Sequence, residues 1–278
     1  MSEQQSIELR LTALHCLAET DPLLKSKAVA ALAIAWECGE ISLNTEQSID
    51  LLQISELRDI PGRPKKPELV PPLLVKRRAM NTIAGRAALV HALTHIEFNA
   101  INLALDAIWR FSEMPVNYYT DWLKVAAEES HHFDLLNGHL HYLGFNYGDF
   151  SAHNSLWVMV DRTKLNILAR MALVPRTMEA RGLDALPALR DKLAQAGDMQ
   201  AAQILDITLH DEVGHVAIGN TWFNYLCEQQ GLTPEATFER LCVEYAAPKL
   251  RGPFNLEARR KAGFTEGELE HLVAQSAV

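Results

Sequence analysis

In Asp121-Trp-Leu-Lys-Val-Ala-Ala-Glu-Glu129-Ser-His-His132, Glu129 and His132 stand three residues apart, and 83 residues later Asp211-Glu-Val-Gly-His215 repeats the spacing in Glu212 and His215. Each pair follows a single acid in an apolar stretch, Glu97 and Glu179, which are 82 residues apart. The chain therefore carries the pattern Glu … Glu-x-x-His twice in nearly constant register. On an α-helix, residues i and i+3 share a face about 4.5 Å apart along the axis, so a carboxylate and an imidazole can turn toward one point. Four carboxylates and two imidazoles are the set with which a four-helix bundle holds two metal ions in its core.

The neighbouring residues indicate where these groups face. Glu129 shares its stripe with Trp122, Val125, Ala126, Phe133 and Leu136, and Glu212 shares one with Leu205, Thr208, Leu209, Val216 and Gly219. Glu97 lies among Val90, Leu93, Ile101, Ala104 and Leu105, while Glu179 follows Met171, Ala172 and Pro175. Each acid thus falls on the apolar side of its helix. Carboxylates on core faces need a compensating charge, and a pair of divalent cations supplies it. Two further matches to the spacing carry less. Glu128/His131 shares its face with Lys124, Leu135 and His139 and reads as solvated or as support behind the ligands. Glu268/His271 lies in a short charged C-terminal segment with no partner acids and reads as a surface coincidence.

At 278 residues and 48% hydrophobic, the chain can bury a large core. No apolar run reaches membrane-spanning length and the N-terminus lacks a signal-peptide pattern, so no membrane association is expected. Cys16, Cys38, Cys227 and Cys242 form no Cys-x-x-Cys pair, which argues against a thiolate iron centre or a disulfide framework and fits a cytoplasmic location. The formal net charge of −9 makes nucleic acid an improbable partner.

Helix signals dominate, and the expected class is all-α. Residues 1–57 read as an N-terminal helical block, with a helix opened by Asp21-Pro22 and stopped near Gly39. Residues 58–77, with Pro61-Gly-Arg-Pro-Lys-Lys-Pro67 and Pro71-Pro72, read as an extended basic strap. The strap's cations, with Arg77 and Arg78, can dock an acidic partner or simply be solvated. Residues 78–232 read as a four-helix bundle: helix A about 78–111, helix B about 116–143, a crossover 143–155, helix C about 156–180 kinked at Pro175, and helix D about 199–230. Residues 233–278 form a C-terminal helical extension, with a Thr265-x-x-Glu268 capping box.

These segments resemble a ferritin-like family catalogued as domain of unknown function 455, and more distantly the di-iron tRNA hydroxylase of that superfamily. The resemblance rests on His91-Ala-Leu-Thr-His-Ile-Glu97, the Glu129/His132 segment with Phe133, Val174-Pro-Arg-Thr-Met-Glu-Ala-Arg-Gly-Leu-Asp184, Asp211-Glu-Val-Gly-His215, and Pro253-Phe-Asn255 with Ala258-Arg259. It covers most of the chain, including the strap. It departs at Ser151-Ala-His-Asn-Ser-Leu-Trp157, where the family pattern begins with proline and has Asp-Gly for Asn-Ser. The resemblance implies a ferritin-like bundle with a long crossover and a di-metal site. By analogy, Glu129 and Glu212 bridge the ions, Glu97 and Glu179 are terminal ligands, and His132 and His215 each bind one ion. Oxygen and imidazole donors without thiolate suit iron, or manganese, better than structural zinc. His95 is expected to hydrogen-bond in the core or behind the ligands, and Asp211 to partner a ligating histidine. Arg181 is either a charge behind the ligands or an ordinary surface residue.

The function implied is an O2-activating oxidoreductase, a hydroxylase or oxidase of an unidentified organic molecule, served by a separate reductase because no electron-transfer centre is visible in the chain. The alternatives are a metal-handling protein (ferroxidase or peroxide removal) and a non-enzymatic metal-bound scaffold. A homodimer is compatible with any of these.

Overall fold

A computed structural model describes residues 7–46, 49, 60–76 and 78–276. The described residues are all-α, with two isolated parallel bridges, Glu8 with Ser42 and Leu69 with Ala152. The chain divides into two compact units, Met1–His153 and Asn154–Val278. The expected boundary between block and strap, and Arg77, lie outside the described residues.

In the first unit, α1 (Leu9–Ala18) and α2 (Pro22–Glu37) pack against a long hairpin of α3 (Ile83–Arg110) and α4 (Val116–Tyr142). α2 starts as expected. Asp21 accepts from the backbone N–H groups of Leu23 and Leu24, Pro22 takes the first helical position, and Gly39 follows the helix at φ +72°. Among its described residues, 60–76, the strap carries a helical turn at Pro72–Leu74. It is not a solvated linker. Gly62 donates to Leu17 O at 2.8 Å, and a Cβ on Gly62 would lie 2.1 Å from Ala18 O, so only glycine allows this approach. Val70 donates to Ala152 O at 2.8 Å and Ala152 to Glu68 O at 3.0 Å, which joins the strap to the crossover. Arg78 lies over the Phe150 ring at 4.6 Å, while Lys65 and Lys66 remain exposed.

Lys25 holds three of these parts together. Its side chain is fully buried, and Nζ donates to Leu17 O (3.0 Å), Gly62 O (2.9 Å) and Asn102 Oδ1 (2.5 Å). Arg10 is also buried and donates to Trp109 O at 2.8 Å, which ties α1 to the end of α3.

The second unit departs from the single helix C expected over residues 156–180. That stretch begins with α5 (Ser155–Arg162) and breaks at 163–166, where Asn166 caps α6 (Ile167–Leu173) by accepting from Ala169 N–H. Val174–Glu179 then winds as a π-helix and continues into α7 (Ala180–Gln195). Pro175 lacks an N–H, and the wider turn accommodates it. The Thr177 hydroxyl donates to Ala172 O at 2.8 Å, and Ala180 N–H bonds back to Pro175 O. The helix also passes through Pro187, which the sequence reading placed beyond its end. Pro187 cannot bond Leu183 O, and Asn255 Nδ2 donates to that carbonyl instead at 3.2 Å. α8 (Met199–Gln229) packs antiparallel along α7, followed by α9 (Pro234–Glu244), α10 (Leu256–Lys261) and α11 (Glu266–Ser276). The capping box forms: Thr265 N–H donates to Glu268 Oε2 at 2.8 Å, and Glu268 N–H to Thr265 Oγ1 at 3.2 Å.

Burial, with the neighbouring Arg63 adding to it, pushes the Lys25 amine down to about 7 from an ordinary 10.5. Between these values the unfolded chain binds more protons than the folded one, so stability should rise with pH across that window and this gain is lost as pH falls toward 7. Lys25→Met should lose the slope and, by leaving three buried acceptors without their donor, cost about 1–3 kcal/mol near neutral pH. Urea unfolding as a function of pH measures both effects.

Candidate metal centre

α3 and α4 bring the first half of the candidate site together. Glu97 is 2% exposed, and Glu129 and His132 are fully buried. His132 Nδ1 lies 3.5 Å from Glu129 Oε2 and 3.9 Å from Glu97 Oε2. One potential donor atom from each of the three residues falls within 4.8 Å of the others, a geometry that can hold a metal ion. The donor set also fits a divalent cation. Carboxylate oxygens and an imidazole nitrogen are donors that a divalent cation takes. Phe98 and Phe133, the residues after Glu97 and His132, pack with ring centroids 6.0 Å apart.

The second unit carries the other Glu-x-x-His pair. Glu212 and His215 are buried on α8, with His215 Nδ1 3.8 Å from Glu212 Oε2. Glu179 is buried at the last position of the π-helical turn, three residues before Gly182. A Cβ on Gly182 would lie 3.8 Å from the Glu212 carboxyl carbon, so that carboxyl group faces the side of α7 on which Glu179 also lies. The close approach of α8 to the π turn depends on Gly219, where a Cβ would meet Pro175 Cβ at 2.5 Å.

The remaining sequence candidates separate. His95 Nδ1 pairs with Tyr147 OH at 2.7 Å and Asn99 Nδ2 lies 3.1 Å from His95 Nε2. His91, in the same motif, accepts from Gly148 N–H at 2.9 Å and stacks on Tyr147. Burial lowers both imidazoles to about 4, so they are neutral and anchor the crossover loop to α3. Arg181 is exposed and Asp211 half-buried; His131 is exposed and Glu128 half-buried. Glu268 is not the surface coincidence its sequence context suggests, because it pairs with the buried Arg176, while His271 is exposed and lies 3.3 Å from Glu239.

Sequence reasoning missed the roles of Arg176 and Arg259. Arg259 is 1% exposed and forks onto Asp184 at 3.0 and 2.6 Å, while Asn255 N–H donates to Asp184 Oδ1 at 2.9 Å. The motif segments ending at Asp184 and running from Asn255 to Arg259 thus form a clamp between α7 and α10. Both arginines lie in the segments that carry the family resemblance, which was the available signal.

The site defines an all-α protein with a buried carboxylate–imidazole cluster able to hold a metal ion. The chain belongs to the family described as "Protein of unknown function (DUF455)", which matches residues 18–270. A curated relative from Haemophilus influenzae strain Rd, described as "Uncharacterized protein", is 48% identical over 230 residues, covering 80% of this chain and 80% of its own. No solved structure matches the chain. Among the described residues, no helix is long and apolar enough to cross a membrane.

Gly219→Ala should force α8 and the π turn apart. The expected cost is about 1–3 kcal/mol in urea unfolding, the range for overpacking a tight contact. An unchanged midpoint would show that the contact yields freely.

Proposed function

We propose that the protein is a di-metal carboxylate oxidoreductase holding two divalent ions, iron or manganese, in a ferritin-like bundle. Its ligands are Glu97, Glu129, His132, Glu179, Glu212 and His215. The observation that carries this reading is the buried Glu97, Glu129 and His132 cluster, together with the repetition of its Glu-x-x-His half in Glu212 and His215. Carboxylate and imidazole donors suit iron or manganese, and such a pair of ions supplies the electrons for two-electron reduction of O2.

The chain's own residues set the conditions for that chemistry. Glu129 and Glu212, with Glu97 and Glu179, would supply the carboxylates that hold the ions. His132 and His215 bind as neutral imidazoles, so metal binding weakens as acid protonates them. Asp211 orients a ligating histidine. An unidentified organic molecule is the substrate and an external reductase the electron source, and the protein works in the cytoplasm without nucleic acid as its target.

Glu129→Ala combined with Glu212→Ala should abolish retention of metal, measured by elemental analysis after loading with Fe(II). Wild-type stoichiometry in that variant would refute the ligand set. O2 uptake by iron-loaded, reduced protein should depend on an added organic compound. Rapid Fe(II) oxidation with no such compound would support ferroxidase or peroxide-removing metal handling instead. Metal that only raises the melting temperature would mark a scaffold.

A further inference from the structure

The strap segment 63–78 carries six cations, Arg63, Lys65, Lys66, Lys76, Arg77 and Arg78, against one acid, Glu68, in a chain whose formal net charge is −9. The fold holds this charge along the crossover. A Cβ on Gly148 would lie 2.8 Å from Lys66 Cβ, the Arg78 guanidinium carbon sits 4.6 Å from the Phe150 ring centroid, and Val70 bonds to Ala152. Three points of the strap thus run beside five consecutive crossover residues, which keeps the exposed Lys66 and Arg78 close together. Asp149, the acid between those contacts, already accepts from Asn146 N–H at 2.7 Å.

Between the same contacts, the turn at Pro72–Leu74 leaves Leu73 97% and Leu74 64% exposed. Single exposed apolar residues are ordinary, whereas adjacent ones rimmed by charge mark an interaction surface.

Behind this surface runs a continuous line of ring contacts. Phe150 meets His91 edge-on with centroids 5.4 Å apart, His91 stacks on Tyr147 at 5.4 Å, and Tyr147 packs against Phe98 at 5.8 Å and Phe133 at 5.6 Å. Phe98 and Phe133 are the covalent neighbours of Glu97 and His132. Packed rings therefore lead, within one unit, from the basic surface to residues bonded to the buried Glu97, Glu129 and His132 cluster.

We propose that the strap is the docking surface for an acidic one-electron carrier protein, of the iron–sulfur or flavin class, that reduces the metal site. This rests on the di-metal reading. Each encounter oxidises the carrier by one electron and reduces one bound Fe(III) to Fe(II), so two encounters restore the pair. The cations steer an acidic partner's approach, and the leucine pair sets how long it stays. Electron-transfer encounters use small, transient interfaces, which one strap can supply.

Reduced plant-type [2Fe–2S] ferredoxin, an acidic carrier whose oxidation is read from its visible absorption, is the probe, mixed anaerobically with the full-length protein. Saturable binding that weakens with added salt is expected from metal-free and Fe(III)-loaded protein alike, and oxidation of ferredoxin by the loaded protein alone. Lys65→Glu with Lys66→Glu should lower the association rate more than about tenfold at low salt, flatten its salt dependence, and leave iron retention and the urea midpoint unchanged. Leu73→Ser with Leu74→Ser should instead raise the dissociation rate by about tenfold. Lys192→Glu, at an exposed position in the other unit, should change neither rate. Absence of saturable binding, an equal loss in Lys192→Glu, or unchanged rates in the strap variants would overturn the docking surface. So would salt-sensitive binding to phosphatidylglycerol vesicles with none to ferredoxin. Binding without electron transfer to protein that retains iron would overturn the carrier class. Failure to retain iron would sink the di-metal reading instead, and binding to the metal-free protein would still decide the surface.

Discussion

Moving a carboxylate out of water into a helical core is unfavourable unless positive charge is returned to it, and here Glu97 and Glu129 are buried side by side with one imidazole between them. The surrounding architecture follows from keeping that arrangement dry and fixed. Long helices carry Glu129 and His132, and Glu212 and His215, at i, i+3 spacing, and the Phe98 and Phe133 rings pack against each other. α1 and α2 cover the α3–α4 hairpin. The helices act as rigid mounts, and the remaining residues hold those mounts in place.

That support comes from buried polar groups used as joints. Lys25 links α1, the strap and α3 through three acceptors, while His91 and His95 hold the crossover by way of Gly148 and Tyr147. In the second unit Arg259 and Asn255 clamp α7 to the C-terminal segment. Each joint satisfies backbone or side-chain groups that would otherwise be buried without partners. The motif residues that ligate nothing therefore have structural work of their own. In the crossover, Ala152 pairs with the strap through backbone groups alone.

Periodicity and the Glu-x-x-His repeat made the long helices and the buried Glu/His residues legible, because a 3.6-residue period and an acid on an apolar stripe are local properties. The bounds expected for helices A, B and D fall within a few residues of α3, α4 and α8. Helix C was misread for a physical reason. Pro175 and Pro187 are locally helix-breaking, and the groups that rescue them are the Thr177 hydroxyl and the distant Asn255 side chain. A window along the chain does not contain Asn255. Glu268 illustrates the same limit, since its partner Arg176 lies 92 residues away.

From the sequence alone came the all-α class, the six candidate ligands, the strap and the capped helix starts, each encoded in the order of neighbouring residues. Tertiary structure decided which buried charges meet: that Lys25 is a three-way joint, that Arg176 is caged by three phenylalanines, and that Glu97, Glu129 and His132 converge within a few ångströms. Burial and pairing arise only when segments far apart in the chain are packed together, and no local pattern specifies them.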